Sequence, residues 1–216
     1  MKVTVVDYGR GNLFSLGQAL KTVGADVELT DRADGIRNAG CIVLPGVGAF
    51  KDAMTGLRER GLIDPLKEAA NQGTPLLGIC VGCQMLLDVS YEFGEHEGLA
   101  LIAGAVEMLP SPRADDADLI RIPNVGWHEI EPASGEPSNG EIIHRSWMYF
   151  VHYFAPRPRN AENVSATIGV NGEDVPIAVH QENVFGVQFH PEKSGTAGLD
   201  LLGRFLEAAD KTKRSD

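Results

Sequence analysis

Cys80 stands between two glycines, Gly78 and Gly82, each two residues away. The run before it, Pro75-Leu76-Leu77-Gly78-Ile79, is short and apolar, as a buried strand is, and after it Val81, Met85 and Leu86 fall at helical spacing. The stretch therefore reads as strand, tight turn, helix. A nucleophile flanked by glycines at a strand-to-helix turn follows the logic of G-x-S-x-G, with sulfur in place of oxygen. The glycines let neighbouring chain and substrate approach closely. The unpaired N–H groups and dipole of the following helix favour the thiolate, which is the attacking form. Such a sulfur needs a base. Of the six histidines, His96, His128, His144, His152, His180 and His190, only His190 joins a strand-end position to an acid two residues on, Glu192. Pro191 fixes the backbone between them and holds His190 extended. A Cys–His–Glu set suits acyl transfer through a thioester: attack, expulsion of an amine, then hydrolysis. Taken singly, each residue has a plainer reading, the cysteine as core packing and the histidine as a structural side chain.

The elements that must position these residues follow a βαβ succession. Residues 3–6 read as a buried strand, Asp7-Tyr8-Gly9-Arg10-Gly11-Asn12 as a glycine-rich loop, and Leu13, Leu16, Leu20 and Val23 as one helix face stopped by Gly24. A dinucleotide fingerprint fails there, because Phe14 stands where the third glycine belongs. A strand at 26–29, a short helix through Ile36, a strand at 41–44 and one helical stretch from Met54 to Ala70 lead into the Cys80 strand. The loop Pro45-Gly46-Val47-Gly48-Ala49-Phe50 carries two glycines, which suit exposed backbone N–H groups such as an oxyanion hole needs. In such sheets ligands lie beyond the carboxyl ends of the strands, where the 7–12 loop, the 45–50 loop and the Cys80 turn all emerge. From Tyr91 the pattern changes to a solvated loop containing Glu92, Glu95, His96 and Glu97, then short strands at 105–109, after Pro123, at 147–154, 165–168, 177–180 and 184–187. Their spacing is that of an antiparallel meander. Polar loops are read at 110–118 and 132–140, an amphipathic closing helix through Leu199, Leu202, Phe205 and Leu206, and a charged tail at 211–216. The expected fold is α/β: a mostly parallel central sheet flanked by helices, with an additional antiparallel strand region, in one domain over 1–210.

Composition narrows the function classes. The chain has 216 residues, 43 % of them hydrophobic, with 19 basic and 30 acidic side chains for a net charge of −11. That balance argues against a nucleic-acid surface. No apolar run is long enough to span a membrane, and the first seven residues read as a strand rather than a signal peptide. Three cysteines make no disulfide framework and suit a reducing cytoplasm. His96 has no second histidine at ligand spacing, so no metal is expected, and no cofactor.

Gly78-Ile79-Cys80-Val81-Gly82-Cys83-Gln84 together with Phe189-His190-Pro191-Glu192 resembles the class I glutamine amidotransferases. Asp7 to Leu13, the 45–50 loop, Pro123-Asn124-Val125-Gly126-Trp127, Tyr149-Phe150-Val151-His152 and His190 to Ser194 resemble, more narrowly, the HisH-type glutaminase subunits of imidazole glycerol phosphate synthase. The resemblance implies Cys80 as nucleophile, His190 as base and acid, and Glu192 as its orienter. It implies an oxyanion hole at Val81 and the Val47–Gly48 region, and glutamine held by Gly48, Gln84, Tyr149, Phe150, Val151 and His152. It further implies a heterodimer with the (β/α)₈-barrel cyclase subunit HisF, which consumes the ammonia, with Asn12, Trp127, Tyr149 and Lys193 near the interface. Cys83 departs from the family pattern, which usually has another residue there. It opens two alternatives: a C-x-x-C redox protein, or a second thiol that resolves an oxidised Cys80. Glutaminases of pyridoxal phosphate or purine synthesis, and a catalytically dead subunit on the same scaffold, are the remaining alternatives.

Overall fold

The computed structural model describes residues 1–112, 120–133 and 142–214. The polar loops expected at 110–118 and 132–140 lie for the most part outside these described residues, as do the last two residues of the tail. The first half alternates strand and helix: β1 (Lys2–Val6), α1 (Leu13–Thr22), β2 (Asp26–Thr30), α2 (Ala33–Arg37), β3 (Ile42–Gly46), α3 (Phe50–Glu59), α4 (Ile63–Asn71), β4 (Leu76–Cys80) and α5 (Val81–Met85). Short strands follow as β5 (Leu87–Ser90), β6 (His96–Glu97), β7 (Ile102–Met108), β8 (Asn124–Pro132), β9 (Ser146–His152), β10 (Phe154–Pro158), β11 (Val164–Val170), β12 (Glu173–Gln181) and β13 (Val184–Val187). Helix α6 (Gly195–Arg214) closes the chain.

Nine strands form one mixed sheet in the order β2-β1-β3-β4-β13-β12-β11-β8-β9. From β2 to β13 the neighbours run parallel, and from β13 to β9 antiparallel. The expected parallel core and antiparallel region are thus one continuous sheet. β1, β3 and β4, apolar but for Lys2 and Thr4 of β1, are buried along nearly their whole length, as strands covered on both faces must be. α1 packs with α6, α2 with α4, and α3 with α5. A smaller sheet, β10-β7-β5-β6, stands beside the first.

Several boundaries differ from those the sequence suggests. β3 runs on through Pro45 to Gly46 and pairs Gly46 with Cys80, so the glycine loop begins later. The stretch read as one helix from Met54 to Ala70 is two, broken where Gly61 turns left-handed at φ 64°. The helix after Cys80 lasts five residues, and Leu87 begins β5. The apolar run Met85-Leu86-Leu87 fits either structure by pattern alone, and pairing with β6 and β7 decides it. The solvated loop at 92–97 contains β6. The aromatic strand is divided at Tyr153 between two sheets. The last helix carries the backbone through Lys211 to Arg214.

Gly46 and Gly82 set the distance between β3 and the β4–α5 turn, and Gly78 that between β4 and the start of α5. A Cβ on Gly82 would stand 1.9 Å from the Leu44 carbonyl oxygen, one on Gly46 2.5 Å from the Gly82 nitrogen, and one on Gly78 2.6 Å from the Gly82 oxygen. All are backbone contacts that no rotamer can relieve. We predict that Gly82→Ala destabilises the fold by about 1–3 kcal/mol. Gly203→Ala in α6, where a Cβ meets nothing within 4 Å, should be neutral or mildly stabilising. Urea unfolding midpoints measure both, and equal midpoints for the two variants would contradict the close approach.

Candidate active site

Cys80 ends β4 in a left-handed conformation, φ 56° and ψ −113°, and stands at the N-cap of α5. A non-glycine residue held so costs on the order of 1–3 kcal/mol and persists only where its surroundings over-determine it. The packed glycines on either side do that here. The conformation lifts the side chain off the strand line towards a cavity of about 330 Å³. Val47 and Gly48 from the loop after β3, and Val81 and Gln84 from α5, line the same cavity. Gly48 has φ 91° with open space around its α-carbon. The N–H groups of the first turn of a helix lack partners within the helix, and Val81 is the first residue of α5.

His190 reaches the cavity from the strand next to β4, three residues beyond β13. Its backbone is extended, as a residue before proline must be, at φ −106° and ψ 92°. Its N–H donates to the Tyr149 carbonyl at 2.9 Å, and its own carbonyl accepts from the Ser194 hydroxyl at 2.6 Å. The Ser194 hydroxyl oxygen in turn accepts from the Tyr149 N–H at 3.0 Å. The ring meets Glu192 through Nδ1, at 2.8 Å from Oε1, with both side chains nearly inaccessible to solvent. The other ring nitrogen, Nε2, makes no regular hydrogen bond among the described residues. Burial acts to lower the pKa of His190, but the neighbouring Cys80 and the Glu192 carboxylate outweigh it and hold the imidazole up at about 9. The imidazolium is therefore the resting form near neutrality. One side of it is oriented by a carboxylate, and the other is available to a group at Cys80.

The remaining expected site residues divide. Val151 and His152 line the cavity, as do Gly48 and Gln84. Tyr149 and Phe150 do not. Phe150 is fully buried, with its ring against Phe189 and His152, and Tyr149 serves the site through its backbone, by the bonds to His190 and Ser194. The division follows position along β9: Val151 and His152 are the last two residues of the strand, at the cavity, and Tyr149 and Phe150 precede them. Glu92, Tyr153 and Phe154, also on the cavity wall, were missed. Glu92 accepts the N–H of Phe50 at the start of α3, and a carboxylate there suits a cationic group on a ligand. Gln188, fully buried and 3.8 Å from the Cys80 sulfur, was missed as well. Its only sequence signal is its place two residues before His190.

Of the residues expected near a partner, Trp127, Tyr149 and Lys193 come together. The Trp127 and Tyr149 rings meet edge to face at 5.9 Å, and the Lys193 ammonium lies 5.9 Å from the Tyr149 ring centre. Asn12 caps α1 and stands apart from them, on a narrow crevice with Val47, His190 and Glu192. Cys83 is fully buried, and a Cβ on Gly186 of β13 would meet its sulfur at 2.7 Å. Burial raises the pKa of its thiol, so it packs as a small apolar side chain.

The family described as glutamine amidotransferase class-I matches residues 4–208. The imidazole glycerol phosphate synthase subunit HisH of Salinibacter ruber (strain DSM 13855 / M31) is 44 % identical over 202 residues, covering 94 % of this chain and 92 % of that one. The subunit of the same name from Moorella thermoacetica (strain ATCC 39073 / JCM 9320) is 41 % identical over 206 residues, covering 95 % and 94 %. Among solved structures, a glutamine amidotransferase superposes with a TM-score of 0.72 at 23 % identity, over 96 % of this chain and 98 % of that one. The structure of PurLQS from Thermotoga maritima superposes at 0.71 with 20 % identity, over the same shares. These two likenesses concern the fold alone.

The raised His190 pKa has a consequence for stability. A proton bound more tightly in the folded than in the unfolded chain stabilises the fold fully below the ordinary histidine pKa of about 6.5, and that contribution is lost as pH rises through the folded value. Between pH 6.5 and about 9 the wild type should therefore lose stability. In Cys80→Ala, which lacks the sulfur that favours the imidazolium, the loss over this window should shrink. Denaturant midpoints across the pH series test this, and identical slopes in the two proteins would refute it.

Proposed function

The chain belongs to the class I glutamine amidotransferases and, within them, to the HisH family, and from that premise we propose that it is the glutaminase subunit of imidazole glycerol phosphate synthase. It hydrolyses glutamine to glutamate and ammonia, and the ammonia passes to a (β/α)₈-barrel cyclase subunit, HisF, in histidine biosynthesis. The observation that carries this reading is the His190 imidazole, set between the Glu192 carboxylate and Cys80 on the wall of one cavity.

The Cys80 thiolate attacks the side-chain amide carbon of glutamine. The carbonyl oxygen becomes an oxyanion facing the Val81 N–H, with a second donor from the Val47–Gly48 peptide. His190 gives its proton to the departing nitrogen, ammonia leaves, and a thioester to Cys80 remains. The imidazole, now neutral, takes a proton from water as the oxygen attacks the thioester, and glutamate departs with the thiolate restored. Gly48, Gln84, Val151 and His152 shape the substrate cavity, and Glu92 offers its carboxylate to the α-ammonium group. Trp127, Tyr149, Lys193 and Asn12 are proposed as the face that meets the barrel. Ammonia handed over directly escapes protonation in bulk water. No described helix is long and apolar enough to cross a membrane, and we place the reaction in the cytoplasm.

A C-x-x-C redox activity has less support, because burial leaves the second thiol without the solvent access that exchange requires. We predict that Cys80→Ala abolishes glutamine hydrolysis while circular dichroism stays native. We also predict that the chain alone is nearly silent until the barrel subunit and its nucleotide ligand are added. One missing oxyanion donor costs ~10²–10³ in rate, so rotation of the single Val47–Gly48 peptide is a switch of sufficient size. Turnover by Cys80→Ala would overturn the assignment of the nucleophile. Full activity of the free chain, unchanged by the partner, would overturn the gating.

A further inference from the structure

Behind the cavity a run of hydrogen bonds leads from the protein surface to the nucleophile. At its outer end the half-buried His128 faces Asn124 Oδ1 through Nε2 at 2.6 Å. Asn124 Nδ2 lies 3.0 Å from His152 Nε2, and His152 Nδ1 lies 2.9 Å from the Phe154 carbonyl. The same carbonyl accepts from Gln84 Nε2 at 3.1 Å. Gln84 Nε2 also donates to Gln188 Oε1 at 3.0 Å, and Gln188 Nε2 faces the Cys80 sulfur at 3.8 Å. Asn124, His152, Gln84 and Gln188 are all buried, between 0 and 5 % exposed.

The sense of every bond is determined by one group that cannot be reversed. A backbone carbonyl only accepts, so Phe154 requires N–H groups from both His152 Nδ1 and Gln84. With Nδ1 protonated, a neutral His152 has a lone pair at Nε2, which takes the Asn124 amide N–H and leaves Asn124 Oδ1 for His128. Burial holds the His152 pKa down at about 4, so this form persists through the physiological range. On the other side, the Gln84 amide has its nitrogen towards both the Phe154 carbonyl and Gln188, so Gln188 must present its oxygen to Gln84. The Gln188 nitrogen is then left for Cys80. Protonation of His128 changes nothing, because its Nε2 donates in either form.

We propose that Gln188 is a positioning residue for the reaction, directing an N–H at the Cys80 sulfur, with the sense of its amide imposed by the chain that ends at the Phe154 carbonyl. The proposal rests on the reading of Cys80 as nucleophile and adds to it. A thiolate only accepts, so this donor favours the attacking form and fixes the sulfur against rotation. It also stabilises the sulfur again as the thioester breaks. The contact is long, as bonds to sulfur are, and Gln188 has no place on the cavity wall. Its removal should therefore act on the chemical step and spare substrate binding.

The test is Gln188→Met, which keeps length and bulk and removes the donor. Iodoacetamide labels the thiolate, so its rate at Cys80 at pH 7 reads the sulfur directly without glutamine or a partner. That rate should fall about tenfold, the size of a hydrogen bond to a charged group. In the complex with the barrel subunit, kcat should fall to a similar degree while KM for glutamine stays within twofold. Cys80→Ala supplies the labelling background from Cys41 and Cys83. If Gln188→Met does not fold, the wild type answers by NMR: the side-chain amide signal of Gln188 should move when iodoacetamide caps Cys80. Wild-type labelling and kcat in a folded Gln188→Met, or an amide signal that stays in place, would overturn the role of Gln188 and leave the nucleophile intact. Glutamine hydrolysis by Cys80→Ala would instead remove the premise.

Discussion

The site depends on a steric constraint: the β4–α5 turn lies against the end of β3 with backbone touching backbone. Only glycine at Gly46 and Gly82 allows that approach, and glycine at Gly78 lets β4 lie against the first turn of α5. With the turn pressed so close, strand gives way to helix at a single residue, and that residue, Cys80, takes a left-handed conformation that a side chain ordinarily avoids. The strain cannot relax locally, because β4 is fixed by pairing to β3 on one side and β13 on the other. The free energy that holds the sulfur in place is thus supplied by the sheet core and not by the site itself.

A second cost is electrostatic. An ion pair, a neutral histidine, two glutamines and an asparagine are buried within or behind one cavity wall. Each would cost about 1–3 kcal/mol if left without a partner. The run from Asn124 to Gln188 meets that demand by giving Asn124, His152 and Gln188 each a donor and an acceptor partner and the Gln84 amide nitrogen two acceptors. The two atoms of the His190–Glu192 pair left over are His190 Nε2 and Glu192 Oε2. Of these, Nε2 is the atom that the proposed proton transfers use, so the incomplete network is incomplete where the chemistry requires it.

What could be read from the sequence follows the range of each interaction. The Cys80 turn was legible because its steric demand is local and leaves glycines at fixed offsets. The His190–Glu192 pair was legible because the partners lie two residues apart with a proline between them. Gln188 was not, since it meets Cys80 across 108 residues and nothing near it marks the contact. Glu92 looked like one of several solvated acids, and only the fold brings it to the start of α3. Tyr149 to His152 were read as one block, but only Val151 and His152, at the end of β9, reach the cavity, and where a strand ends against a cavity is set by the fold and not by its local pattern. The shortness of α5 was hidden in a run of leucines that suits helix and strand equally.

The proposed nucleophile and base extend from the carboxyl ends of two adjacent parallel strands, Cys80 from β4 and His190 from β13. This placement limits how a docking protein can influence the reaction. A contact on the Trp127–Tyr149–Lys193 face loads β9 at Tyr149, whose backbone carbonyl holds the His190 N–H and whose own N–H meets Ser194. A contact at Asn12 loads the crevice shared with Val47, at the start of the glycine loop. The first bears on the proposed base, and the second on the proposed oxyanion peptide and, through His190 and Glu192 on the same crevice, on the base as well, while Cys80 itself is locked by its glycines and strand pairs. A partner spanning both contacts would move two groups against a stationary sulfur. This arrangement keeps the strained and costly part of the site rigid and leaves adjustment to the peptide at Val47–Gly48, where the α-carbon has open space.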